Sequence, residues 1–154
     1  MIVGVTGWKN SGKTTLAVRL IEEFTRRGHS VASLKNSHSA RQVDVPGTDT
    51  HRHAQAGANT VTLVGDDGWS QIRYGAPLPV DRLPELCAGA QIVVAEGFKQ
   101  APWEKVACLG TSDTSIVEAS RNVVALAVAR PLSSPHPVFD RDDIAAIADF
   151  WLAR

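Results

Sequence analysis

Gly7-Trp8-Lys9-Asn10-Ser11-Gly12-Lys13-Thr14 is the stretch from which the rest of this 154-residue chain can be read. It fits the pattern G-x-x-x-x-G-K-[ST], and its flanks are the ones that pattern requires. Before it, Met1-Ile-Val-Gly-Val-Thr6 is a short apolar run that predicts a buried strand. After it, Leu16, Leu20, Ile21 and Phe24 recur at helical spacing and predict a helix from Lys13 to about Arg27. Arg26 and Arg27 suit the negative end of that helix's dipole, and Gly28 follows in the stop position. Val31-Ala-Ser-Leu34 then predicts a second strand. Strand, glycine loop, helix and strand make a βαβ unit, which implies a parallel sheet with a right-handed crossover.

The loop's composition follows from what it must hold. Consecutive backbone N–H groups turned inward around a phosphate leave no room for side chains, so glycines are needed. A helix starting at Gly12 adds unpaired N–H donors and the positive end of its dipole. Lys13 reaches the β- and γ-phosphates, and the Thr14 hydroxyl is placed to ligate Mg²⁺. The expectation is a nucleoside triphosphate site built on Gly7, Trp8, Lys9, Asn10, Ser11, Gly12, Lys13, Thr14 and Thr15. Trp8 is unusual in such a loop, because a large side chain there must point away from the phosphates. Stacking on a base or a partner, or covering the helix, are its open roles.

Gln91-Ile-Val-Val-Ala-Glu96-Gly97 reads as the second half of the site. A carboxylate leaving the end of a buried parallel strand lies at the crevice where such sheets bind ligands. Glu96 is therefore a candidate for Mg²⁺ ligation and, with Lys13, for catalysis; Gly97 would let the backbone turn close to the γ-phosphate. Lys99 faces either the phosphates or solvent. The long polar stretch from Lys35 to Thr50 holds Asp44, a further candidate metal ligand, and Asp49, which either enters the site or caps a short helix through Ala56 that Gly57 ends. His38, His51 and His53 lack a nearby cysteine, and His51 and His53 point to different sides of a helix, so surface or phosphate-adjacent roles are expected of them.

Further along, Thr60–Val64 and Gln71–Tyr74 predict strands joined by the turn Gly65-Asp-Asp-Gly68, an antiparallel hairpin added to the sheet edge. Trp69 and Tyr74 are its exposed aromatics and make it a candidate dimer surface. Leu83–Ala88 predicts a helix, Val106–Leu109 and Val123–Val128 two more strands. A last helix starts near Asp140, with Ile144, Ile147, Ala148 and Trp151 on one face. The fold class is three-layer α/β of the phosphate-loop NTPase (P-loop) type, mainly parallel with an added antiparallel β-hairpin, as one nucleotide-binding domain over residues 1–154.

Composition narrows the function classes. Lysine plus arginine equals aspartate plus glutamate at 16 each, so the basic excess of a nucleic-acid binder is missing. Hydrophobic residues make up 44%, enough for a real core. Cys87 and Cys108 match no zinc or redox spacing and read as two half-buried thiols. The longest apolar run, Val123 to Ala129, falls far short of the ~20 residues that span a bilayer. With no leader pattern at the N-terminus, a cytoplasmic protein without membrane or nucleic-acid partners is expected.

These residues together resemble the molybdopterin-guanine dinucleotide biosynthesis protein B (MobB) family. The resemblance rests on the loop Gly7–Thr14, on Lys35 with His38 after the second strand, and on Asp44-Val-Pro-Gly-Thr-Asp49 followed by Ala56-Gly-Ala58. Its most specific part is Val94-Ala-Glu96-Gly97-Phe98-Lys99. It covers nearly the whole chain, weakens after Lys99, and fits again at the last helix. The resemblance implies a homodimeric GTP- and Mg²⁺-binding protein with weak GTPase activity. Lys35, His38 and Asp49 would join its ligand contacts. The implied role is accessory: assisting a partner guanylyltransferase (MobA-like) that attaches GMP to molybdopterin, with molybdopterin itself a further candidate ligand. Asn36 and Ser39 stand where the family commonly has histidines, and Ala129-Arg130-Pro131 where relatives tend to carry an acidic residue. No Asn-Lys-x-Asp motif for reading guanine occurs, so guanine preference comes from the resemblance alone.

Three function classes follow. An accessory GTPase would turn over slowly, since no arginine finger or water-orienting glutamine is evident and such an arginine contributes roughly 10³–10⁵ in rate. A small-molecule kinase would need an arginine-rich lid, whereas Arg121, Arg130 and Arg141 are scattered. A non-hydrolysing nucleotide-gated adaptor presenting the pterin reads the same as the first.

Overall fold

The computed structural model describes residues 1–36, 44–75 and 78–154. They gather into two compact units, Met1–Asn36 with Val80–Arg154, and Ser37–Pro79.

The first unit is built on a six-stranded sheet of β1 (Ile2–Thr6), β2 (Val31–Lys35), β5 (Ile92–Glu96), β6 (Lys105–Leu109), β7 (Val123–Val128) and β8 (Val138–Asp140) in the order β2-β5-β1-β6-β7-β8. Every neighbouring pair in it runs parallel. Parallel strands are covered on both faces, and β5 and β6 are buried at every residue. Alternation divides the side chains between the faces. Val106 and Cys108 join Leu16, Leu20 and Phe24 of α1 (Lys13–Arg26) and Ile147 and Trp151 of α4 (Ile144–Leu152) in one core cluster. Ala107 and Leu109 join Ile116 of α3 (Ser115–Glu118) and Leu126 in the other. Phe24 and Trp151 are among the largest fully buried side chains, and a buried apolar side chain of this kind contributes roughly 1.5–3 kcal/mol. The helix facing the sheet therefore holds the glycine loop rigidly over the strand ends.

The second unit holds α2 (Asp49–Gln55) and the hairpin β3 (Thr60–Gly65) and β4 (Gly68–Arg73). Against expectation the hairpin is not an edge of the main sheet; it forms a two-stranded sheet of its own. Alternation alone does not say which edge a hairpin joins, which is why the sequence pattern left this wrong. The N-cap of α2 is Thr48, whose hydroxyl accepts from the His51 N–H at 3.3 Å, and Asp49 is the first helical residue. Tyr74 is half-buried, its hydroxyl donating to Asp44, so of the two expected aromatics only Trp69 is exposed.

Elsewhere the departures are local. Val80–Cys87 is a 3-10 helix, since Pro84 inside it has no N–H to donate. Asp140 ends β8, and the last helix is capped by Asp143, whose carboxylate accepts from the Ala146 N–H at 3.1 Å. Cys108 is buried and Cys87 half-buried, each thiol raised by burial. No helix among the described residues is long and apolar enough to cross a membrane.

Candidate functional site

The glycine loop leaves β1 and turns into α1 through two left-handed residues, Asn10 (φ 63°) and Gly12 (φ 93°). The turn is closed by the Ser11 N–H donating to Trp8 O at 3.2 Å. Gly7 is required by space: a Cβ there would lie 2.3 Å from Ser11 Oγ and 2.8 Å from Cys108 O. Among the described residues Ser11 Oγ is buried without a hydrogen-bond partner, while Ser11 O accepts from Cys108 Sγ at 3.1 Å. Among the described residues no side chain caps α1, and no acidic residue lies in its first turn. Its first N–H groups are thus left as donors at the positive end of the helix.

Three side chains meet beside this helix start. Thr14 Oγ1 donates to Glu96 Oε1 at 2.5 Å, Lys35 Nζ donates to Glu96 Oε2 at 2.8 Å, and Lys35 Nζ lies 3.3 Å from Thr14 Oγ1. Topology explains the meeting, because β1 lies between β5 and β6 while β5 pairs with β2, register Lys35↔Glu96. Glu96 is only 7% exposed. Burial alone would raise its carboxyl, but hydrogen bonds from Lys35 and Thr14, and the Lys35 and Lys13 charges, together hold it below the usual carboxylate value. Lys13 Nζ donates to Trp8 O at 3.2 Å.

Gly97 adopts φ 96°, and a Cβ on it would lie 3.0 Å from Asn36 O. Two bonds, Asn36 N–H to Glu96 O and Gly97 N–H to Val5 O, both 2.9 Å, tie this turn to its neighbours. Lys99 Nζ sits 3.7 Å from the centre of the Trp8 ring, and Trp8 Nε1 donates to Ser115 Oγ at 3.0 Å. Trp8 therefore points away from the loop interior, as its size requires. A cleft of about 610 Å³ opens beside it, lined by Trp8, Asn10, Cys108, Thr111, Asp113 and Ser115 among others.

The structure thus gathers Gly7 to Thr15, Lys35, Glu96, Gly97 and Lys99 in the first unit. Asp44 belongs to the second, where its carboxylate accepts from the Val45 N–H at 2.8 Å, Thr50 at 3.0 Å and Tyr74 at 2.5 Å. The Tyr74 hydroxyl, first, and then Thr50 and Val45 hold the Asp44 carboxyl low against the effect of burial. Asp49 is exposed on α2 and pairs with Arg52 at 3.4 Å. His38 lies outside the described residues.

The model for molybdopterin guanine dinucleotide synthesis protein B matches residues 2–129. The chain belongs to the MobB family. The molybdopterin-guanine dinucleotide biosynthesis adapter protein of Haemophilus influenzae is 36% identical over 159 residues, covering 98% of this chain and 89% of that protein. The probable adapter protein of Bacillus subtilis is 33% identical, covering 99% and 92%. The crystal structure of Bacillus subtilis MobB is 29% identical with a TM-score of 0.79, covering 99% of this chain and 96% of that one. The chain is thus a member of a family of adapter proteins in molybdopterin-guanine dinucleotide biosynthesis.

Two residues in contact with the loop escaped sequence reasoning, Cys108 under it and Ser115 holding Trp8, as did the structural lysine Lys105 in the sheet. Lys105 is 1% exposed, and its Nζ donates to the carbonyls of Ala101 (2.6 Å), Trp103 (2.7 Å) and Arg121 (2.8 Å). Its aliphatic stem packs on Gly4, where a Cβ would lie 2.5 Å from Lys105 Cγ. A lysine opening an apolar strand carries no signal of such a cage, but Gly4 inside an apolar strand hints at a close approach.

Proposed function

We propose that the chain binds GTP with Mg²⁺ in the loop Gly7–Thr15, hydrolyses it slowly, and in the cytoplasm assists a MobA-like guanylyltransferase in attaching GMP to molybdopterin. The observation that supports this most is the Thr14–Glu96 pair beside an uncapped helix start, within a family of molybdopterin-guanine dinucleotide adapters. Thr14 Oγ1 and Glu96 Oε1 are hard oxygen donors in contact, a pairing that suits Mg²⁺ completed by phosphate oxygens and water. When bound there the ion offsets charge on the β- and γ-phosphates. Lys13 and the first N–H groups of α1 orient the same oxygens. Hydrolysis forms a bond from water oxygen to the γ-phosphorus as the β–γ bridge breaks, giving GDP and phosphate. Lys35 neutralises Glu96 from its other oxygen.

Calorimetric titration with GTP, ATP and their diphosphates, with and without Mg²⁺, tests the reading: GTP preferred over ATP supports it, and equal or tighter ATP binding refutes the guanine assignment. Thr14→Ala and Glu96→Ala should each abolish the gain in GTP affinity that Mg²⁺ gives the parent, about 10-fold or more. Parent-like Mg²⁺ dependence in both variants would remove these residues from the metal site.

The homodimer is proposed to form through the hairpin. Val64 and Trp69 are directly opposed across β3 and β4 and are 75% and 71% exposed. A two-stranded sheet with an open edge and an uncovered apolar pair is stabilised by a second copy. Light scattering should give twice the chain mass for the parent and the single-chain mass for Val64→Glu. A parent of single-chain mass refutes the dimer.

A further inference from the structure

Arg141 lies beyond the stretch that the family model matches, at the end of β8, and two clefts meet at it. One, of about 220 Å³, is lined by Gly12, Thr15, Leu16, Cys108 and Arg141, and by Arg19 with the Asp142 it pairs with. The other, of about 600 Å³, lies between the ends of β6 and β7 and is lined by Thr111, Ser112, Arg130 and Pro131 among others. Its volume is in the range of small-molecule pockets, roughly 300–1,000 Å³.

A Cβ built on Gly12 would stand 3.7 Å from Arg141 Nη1, so the guanidinium is beside the last glycine of the loop. Its own backbone is fixed, the N–H donating to Val128 O at 2.8 Å. Yet among the described residues its side chain has no ion-pair or hydrogen-bond partner, although three aspartates flank it. Each of the three is engaged elsewhere. Asp142 pairs with Arg19, Asp143 caps α4, and Asp140 accepts from the Asp142 N–H at 2.9 Å. The charge also stands in an electrostatically unfavourable place. It stands at the positive end of α1, with Lys13 the next residue after Gly12, where a cation is disfavoured and an anion is welcome. An arginine held half-buried in that position without a carboxylate is matched only when an anion occupies the clefts.

Lys35 ends β2 and Glu96 ends β5 on one side of β1, and Arg141 follows β8 on the other. A triphosphate whose metal-bound end lies at Thr14 and Glu96 therefore directs its nucleoside end toward Thr15 and Arg141. We propose that Arg141 binds the phosphate nearest the nucleoside, the part that GTP and GDP have in common. This rests on the nucleotide reading above and adds to it a residue from outside the loop motif.

Titration of the full chain with GTP and with GDP, for the parent, Arg141→Ala and Arg141→Lys, tests the assignment. Arg141→Ala should weaken both nucleotides by the same factor, about 10- to 100-fold, the loss of a charge-assisted bond. Arg141→Lys should recover part of it as a point charge without the fork. Thermal midpoints should match the parent, since the side chain bonds nothing among the described residues. Unchanged affinity in Arg141→Ala overturns the assignment. A loss confined to GTP also overturns it, since that places the arginine at the terminal phosphate. A parent that binds neither nucleotide overturns the nucleotide reading itself, and Arg141's role with it; a parent that binds both while Arg141→Ala matches it overturns Arg141 alone.

Discussion

Lys13→Ala is expected to weaken GTP binding by about 100-fold or more, the largest effect of any single change in the loop. Among the described residues Lys13 Nζ has one partner, the Trp8 carbonyl at 3.2 Å, and it lies half-buried at the positive end of α1. A phosphate bound there replaces that neutral acceptor with charged ones, and each charge-assisted bond contributes roughly 1.5–3 kcal/mol. Removing the ammonium costs the ligand these bonds while costing the fold one weak bond, so the thermal midpoint should move by no more than about 2 °C. Calorimetry and a thermal melt on the same preparation separate the two. Parent-like affinity would show that the loop does not hold phosphate through Lys13.

Lys105→Met is expected to act the other way, on stability and not on binding. The side chain is sealed under Gly4 and bonded to three carbonyls, two from the segment after Glu96 and one from Arg121. Methionine fills the same volume but leaves those carbonyls unpaired, at about 1–3 kcal/mol for each that water cannot reach. Relief of the buried charge offsets part of this, so a net loss of about 2–4 kcal/mol is expected in urea unfolding. Its pH dependence has a definite sign. Burial pushes the Lys105 ammonium down to about 8 from its ordinary 10.5, with the Arg121 charge adding to the shift. Between these values the unfolded chain binds more protons than the folded one, so the parent gains stability as pH rises from about 8 to about 10.5. Lys105→Met has no such group, and the gap between the two proteins should widen over that window. A gap that is flat or narrows would mean that the three carbonyls favour the ammonium more than burial disfavours it.

The two cases differ in how visible they are from the chain alone. Lys13 stands in a motif whose spacing follows from local geometry: a strand end, a glycine turn and a helix start within eight residues leave few other arrangements. The buried runs of β5, β6 and β7 were readable for the same reason, since strands covered on both faces carry continuous apolar residues. The place of Glu96 at the end of a buried strand was readable from the chain, but its contact with Lys35 depended on β2 pairing with β5, which no local pattern states.

Local signals in the chain were therefore enough for the glycine turn between β1 and α1, the helix behind it, the parallel character of the sheet and the family. They work because each is set by residues within one or two turns of each other. Strand order, the separate hairpin sheet, the three-residue β8, the Lys105 cage and the lone Arg141 beside Gly12 all needed the folded chain. The strand order and the approach of Arg141 to Gly12 join residues far apart in sequence, and such pairs are selected by packing across the sheet, to which propensity and periodicity are blind.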